Sequence, residues 1–125
     1  MQIIKLSPLS HTWILDLDGT LLKHNGYKID GKDTLLDGVK EFFQKIPTED
    51  KIIILTSREK RFSKETEKFL AENGVRYDEI IFDCPFGERI VINDDKPSGL
   101  QMGKAVCIKR DKGLKNFEFA IDETL

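Results

Sequence analysis

The stretch Thr12-Trp13-Ile14-Leu15-Asp16-Leu17-Asp18-Gly19-Thr20 begins as a near-continuous apolar run and closes on two carboxylates and a glycine. Such a run fits a strand buried on both faces of a parallel sheet. The pattern of apolar strand followed by polar end returns at Ile52-Ile53-Ile54-Leu55-Thr56-Ser57-Arg58 and at Ile90-Val91-Ile92-Asn93-Asp94-Asp95. Between the first two runs, Val39, Phe42, Phe43 and Ile46 recur at helical spacing until Pro47 stops them. A second helix places Phe62, Thr66, Phe69, Leu70 and Asn73 on one face, and Asn73-Gly74 supplies a left-handed stop. Glu79 to Phe82 and Ala105-Val106-Cys107-Ile108 complete five expected strands. The alternation predicts one doubly wound α/β domain over residues 1–125, with its core at about 11–110 and a mostly parallel five-stranded sheet. The tail from Asp111 to Leu125 reads as either a short helix or a strand. Asp83 to Glu88 alone link the third and fourth expected strands. Fully extended, that link reaches roughly 20 Å, which allows a parallel return without a helix.

The 125 residues suffice for one core, and 39% hydrophobic against 34% charged residues marks a globular chain on the polar side. A net charge of -2 argues against a general nucleic-acid coat or a polybasic membrane binder and leaves room for a local basic patch; the lack of basic residues interleaved with aromatics along the sequence also counts against a nucleic-acid partner. No apolar run reaches the roughly 18–20 residues that span a bilayer. Met1 to Ser10 lacks the apolar stretch of a signal peptide. Cys84 and Cys107 read as two reduced thiols, so a cytoplasmic protein is expected.

In open α/β sheets ligands bind beyond the carboxyl ends of the strands. Asp16, Asp18, Thr56, Ser57, Arg58, Asp94 and Asp95 all fall there. Any one acid after a strand is ordinarily a helix cap or a turn residue. Four on one rim repel one another unless a cation joins them, and hard oxygen ligands of this kind suit Mg²⁺.

Asp16-Leu17-Asp18-Gly19-Thr20-Leu21 resembles the first motif of the haloacid dehalogenase (HAD) superfamily of phosphohydrolases, which share a Rossmann-like fold. Thr56 resembles the second motif and Asp94-Asp95 the fourth. The resemblance implies that Asp16 attacks phosphorus to give an aspartyl-phosphate. It implies that Asp18 protonates the leaving oxygen and later activates water. Gly19 permits the tight turn that brings both acids to substrate, and Thr56, with Ser57 and Arg58 beside it, holds the phosphoryl oxygens. Asp16, Asp18 through its carbonyl, and Asp94 are expected to hold Mg²⁺. Asp95 either supports that metal site from behind or caps the following segment. An acid at Asp18 favours a phosphatase over a dehalogenase or a pump ATPase. The third motif, a Lys before Pro, is replaced by Cys84-Pro85, and a thiol cannot stand in for a cation. Arg58, Lys96 and Arg89 are the candidates to replace it. Arg58 is favoured, because five residues of strand would separate Arg89 from Asp94 by roughly 16 Å.

Too few residues separate the motifs for a cap domain, leaving a minimal flap at Leu21 to Asp33. His24, Asn25, Tyr27 and Lys28 lie in that flap, either as exposed turn residues or as contacts to a leaving group. Capless relatives act on bulky substrates or oligomerise so that a neighbour supplies the lid. A weaker resemblance of Arg89 to Ser98 to short proteins of polysaccharide biosynthesis leads to the expected function: a Mg²⁺-dependent phosphatase for a phosphorylated small molecule such as a sugar phosphate. A polynucleotide 3′-phosphatase is the alternative enzyme. A non-catalytic phospho-acceptor or regulatory interaction module is the alternative outside catalysis.

Overall fold

The structure, a computed structural model, describes all residues from Met1 to Leu125. Five strands form two separate parallel sheets. β2 (Thr12–Asp16), β3 (Lys51–Leu55) and β4 (Glu79–Ile81) lie side by side in that order. The register pairs Asp16 with Leu55 and Leu55 with Ile81, so three strand ends open on one rim. β1 (Gln2–Leu6) pairs with β5 (Phe117–Ile121) in the second sheet. The helices are the single turn α1 (Gly26–Ile29), α2 (Val39–Lys45) and α3 (Ser63–Glu72), the last entered through a 3-10 turn at Lys60–Phe62.

The crossovers follow the apolar periodicity. Val39, Phe42 and Phe43 of α2 are buried, and Ile46 closes that row before Pro47. In α3, Thr66 and Leu70 are buried, and Gly74 at φ 71° ends the helix. Ile52 and Ile54 of β3 are fully buried in a core shared with Leu17, Leu21, Leu22, Leu70 and Leu114. Aromatic rings join the two sheets to α2: Trp13 stands 5.5 Å from Phe42 and 4.9 Å from Phe119, centroid to centroid. Such pairs add to what area burial alone contributes.

Asp50, just before β3, fixes the start of β2. Its carboxylate accepts hydrogen bonds from the His11 backbone N–H at 2.9 Å, from Trp13 Nε1 at 2.9 Å and, at 2.8 Å, pairs with His11 Nδ1. Burial alone would push the Asp50 carboxyl up, but the bonds from Trp13 and His11 outweigh it and hold the group below its ordinary value. No helix of the chain is long and apolar enough to cross a membrane.

Three expectations are corrected. The five strands divide two and three between sheets rather than forming one. Ile90-Val91-Ile92 and Ala105-Val106-Cys107-Ile108 are not strands; the remaining two strands are β1 and β5, paired in the second sheet. The reason lies in the link after β4, since parallel strands need a crossover of about a dozen residues, and Asp83 to Glu88 falls well short. Ile90, Val91 and Ile92 consequently remain 81%, 62% and 94% exposed. Finally, β2 is not buried on both faces. It is an edge strand, and Ile14 is 51% exposed.

Candidate active site

The turn after β2 is built by Leu17, whose carbonyl accepts from the N–H groups of Leu21 at 2.9 Å and Leu22 at 3.0 Å. Gly19 sits at φ 90° inside it, and its own N–H reaches back to the Leu22 carbonyl at 2.7 Å. That positive φ is open to glycine at little cost. Leu21 and Leu22 are fully buried, so the expected flap begins only after them, and α1 forms its tip. The tight turn leaves Asp16 and Asp18 facing the same pocket, of about 300 Å³.

The two acids have different surroundings. Asp16 Oδ2 accepts from Thr20 Oγ1 at 2.9 Å, and Asp16 Oδ1 accepts from Arg89 Nη1 at 3.0 Å. That ion pair is partly open to solvent. Asp18 accepts from Arg58 Nη2 at 2.8 Å and from Arg58 Nε at 3.1 and 3.2 Å. Thr56 Oγ1 also donates to Asp18, at 3.3 Å, and receives the Arg58 backbone N–H at 3.1 Å. Arg58 spends its remaining donors on Asp33, at 2.6 and 3.0 Å, and on Thr66 Oγ1 at 3.0 Å. Its side chain is 2% exposed and its guanidinium lies 4.0 Å over the Tyr27 ring. Burial by itself would lower the Arg58 pKa, but the Asp33 and Asp18 carboxylates outweigh it and raise it. With every N–H engaged, Arg58 organises Asp18 and offers no free donor to a phosphate.

The remaining expected residues divide. Ser57 lines the pocket and donates to the Pro85 carbonyl at 3.3 Å. Thr56 is fully buried behind Asp18, outside the pocket lining. His24, Asn25, Tyr27 and Lys28 of the flap all line the pocket. Asp94 and Asp95 do not join Asp16 and Asp18. They stay exposed in the segment that forms no strand, and Asn93 Nδ2 donates to the Asp94 carbonyl at 3.0 Å. No group of three His, Cys, Asp or Glu side chains is gathered closely enough to hold a metal ion. In this arrangement the donor set does not fit Mg²⁺: two of four expected carboxylates are present, and arginines take oxygens of both.

Asp33, behind the pocket, and Arg110 and Phe86, in its lining, carry no signal in the linear sequence. Asp33 clamps Arg58 from the end of the flap. Arg110 lies against Gly19, where a Cβ would stand 3.1 Å from its Cγ. Phe86 stands at the mouth, 93% exposed. Strand geometry would keep Arg89 far from Asp94; no strand forms there, and Arg89 reaches Asp16 directly. Only the pairing of distant segments could have revealed these. One such pairing has the Asp111 N–H donating to the Gly19 carbonyl at 2.9 Å, while Asp111 Oδ1 accepts the His24 N–H at 2.8 Å. A larger cavity of about 460 Å³ lies between α2 and β5 but contains no comparable set of paired acids and arginines.

The chain matches no protein-family model and no curated protein. It is similar to solved structures. A chain in the structure of the Pnkp1/Rnl/Hen1 complex is 29% identical over 66% of this chain and 31% of its own length, with a TM-score of 0.51. A chain in the structure of the Pnkp1/Rnl/Hen1 RNA repair complex is 28% identical over 68% of this chain and 29% of its own, with a TM-score of 0.52. This chain therefore spans less than a third of either neighbour. What the comparisons establish is a small α/β chain of parallel strands, similar in sequence and structure to part of a protein from an RNA repair assembly.

Proposed function

We propose that this chain is a phosphomonoester hydrolase of the HAD type that removes a terminal phosphate from a polynucleotide. The observation that carries the chemistry is the Asp16–Asp18 pair, turned into one pocket that also contains Arg89, Arg110 and Lys28. Asp16, the more open of the two acids, attacks phosphorus and forms an acyl-phosphate as the ester oxygen leaves. Asp18 gives a proton to the leaving oxygen and then takes one from the water that attacks phosphorus, which breaks the bond to Asp16 and releases inorganic phosphate. Arg58 fixes the orientation of Asp18. Arg89, already on Asp16, offsets the charge of the phosphoryl oxygens. The similarity to chains of an RNA repair complex favours a polynucleotide end over a phosphorylated sugar, which has no observation in its support.

The test is phosphate release from 3′- and 5′-phosphorylated oligonucleotides, sugar phosphates and an aryl phosphate, with added Mg²⁺ and in metal-stripped buffer. Oligonucleotides should be preferred, and Asp16→Asn and Asp18→Asn should each cost at least about a hundredfold. Equal rates in wild type and both variants would remove the catalytic assignment. A preference for sugar phosphates would remove the substrate assignment. A rate lost in metal-stripped buffer would show that Asp16 and Asp18 exchange their arginine partners for a cation.

A further inference from the structure

We infer that Phe86 is a stacking platform for the base of the terminal nucleotide, with Lys28 and Arg110 holding the phosphodiester beside it, so that the preferred ligand is a single-stranded end. The inference rests on the proposed function only for the placement of the terminal phosphate near Asp16. The base platform and the cations are argued independently of hydrolysis.

Size comes first. The pocket of about 300 Å³ is at the lower limit of small-molecule sites. With the terminal phosphate at Asp16 and Asp18, the base lies toward the exposed edge of the pocket that Phe86 lines. Phe86 is at that mouth, 93% exposed, followed by Gly87 and close in sequence to Arg89. An uncovered ring of this size carries an apolar cost that a stacked base would relieve.

Charge comes second. The lining carries Lys28, Arg58, Arg89 and Arg110 against Asp16, Asp18 and Glu59. Arg58 is consumed by Asp18 and Asp33, Arg89 is shared with Asp16, and Glu59 pairs with Arg61 at 3.2 Å. Lys28 and Arg110 form no ion pair with any carboxylate of the chain. Two uncommitted cations beside an exposed ring suit a strand whose backbone is anionic and whose bases are flat. The interleaving of basic and aromatic residues that the linear sequence lacks is thus assembled in space, from the flap, the link after β4 and the turn before β5. An unpaired base can turn out of the strand and lie flat on a side chain at the pocket edge more readily than a paired one, which favours single strands.

Fluorescence anisotropy of the full chain with labelled, phosphorylated oligonucleotides tests this, run in parallel on RNA and DNA and on single strands and blunt duplexes. Single strands should bind more tightly than duplexes. Phe86→Ala should weaken single-strand binding about tenfold or more, and Phe86→Trp should restore it. Lys28→Ala and Arg110→Ala should each reduce the slope of log affinity against log salt by about 0.7. Circular dichroism confirms that each variant is folded. Equal affinity in wild type and Phe86→Ala, or a preference for blunt duplex, overturns the inference and leaves Phe86 to a protein contact. Binding that depends on Phe86 without any phosphate release supports the inference and overturns the hydrolase. Phosphate release from oligonucleotides with a KM unmoved by Phe86→Ala does the reverse.

Discussion

The span from β2 to β4 and the stretch from Phe82 to Asn116 are both rich in apolar triplets, yet they behave differently. In the first, Ile52 and Ile54 are fully buried, and each crossover carries a helix. In the second, Ile90 and Ile92 are exposed, and no regular element forms before β5. The difference teaches that a β-rich tripeptide becomes a strand only when the preceding connection can deliver it to a free edge. The second stretch nonetheless supplies Phe86, Arg89 and Arg110 to the pocket, consistent with functional side chains residing on connections held by a rigid scaffold.

Several substitutions break or sharpen this contrast. The largest effect is expected at Arg58, the keystone of the ordered span. Arg58→Ala leaves Asp18 and Asp33 facing each other unpaired, and should cost about 3–5 kcal/mol in urea unfolding. A smaller loss, of about 2–4 kcal/mol, is expected at Gly113→Ala, where the two spans meet. Gly113 sits at φ 74°, and an added Cβ would collide with the Asp37 carbonyl, which already accepts the Leu114 N–H at 2.8 Å. Asp50→Asn follows, at about 1–3 kcal/mol near neutral pH, because it disturbs the hydrogen bonds from His11 and Trp13. The sign with pH is fixed by the lowered carboxyl of the folded state. Its contribution is complete above the unfolded value near pH 3.9 and is lost as pH falls through the folded value. An acid titration of stability should therefore be shallower below about pH 4 in Asp50→Asn than in wild type. The smallest effect belongs to Ile92→Thr, within about 0.5 kcal/mol. A loss above 2 kcal/mol there would mean that the second stretch packs after all, and the contrast would fall.

What could be read in the sequence follows the same division. β3 and α3 were legible because burial and periodicity act within a few residues. The β2 turn was legible because Asp16, Asp18 and Gly19 carry their geometry locally. β5 was not, since Phe117 to Ile121 becomes a strand only by pairing with β1 at the other end of the chain. Arg58 follows β3 into the pocket lining, but its saturation by Asp33 depends on a flap whose path has no local signal. Strand spacing favours Arg58 over Arg89 only if residues 89–94 form a strand, and they do not. Without that strand, the distance from Asp94 no longer constrains Arg89. Asp94 and Asp95 lost their place with the same strand.

The closure around Gly19, Asp37 and β1 has a consequence for the integrity of the chain. β5 pairs with β1, Leu114 is bonded to Asp37, and Asp111 is bonded to Gly19. These ties all lie beyond the exposed run from Phe86 to Met102. A protease that cuts within that run therefore severs a loop whose two sides are already fastened elsewhere, and the halves should co-elute as one species on size-exclusion chromatography. Separation of the fragments would show that the covalent link, rather than this set of distant ties, keeps the ends of the molecule together.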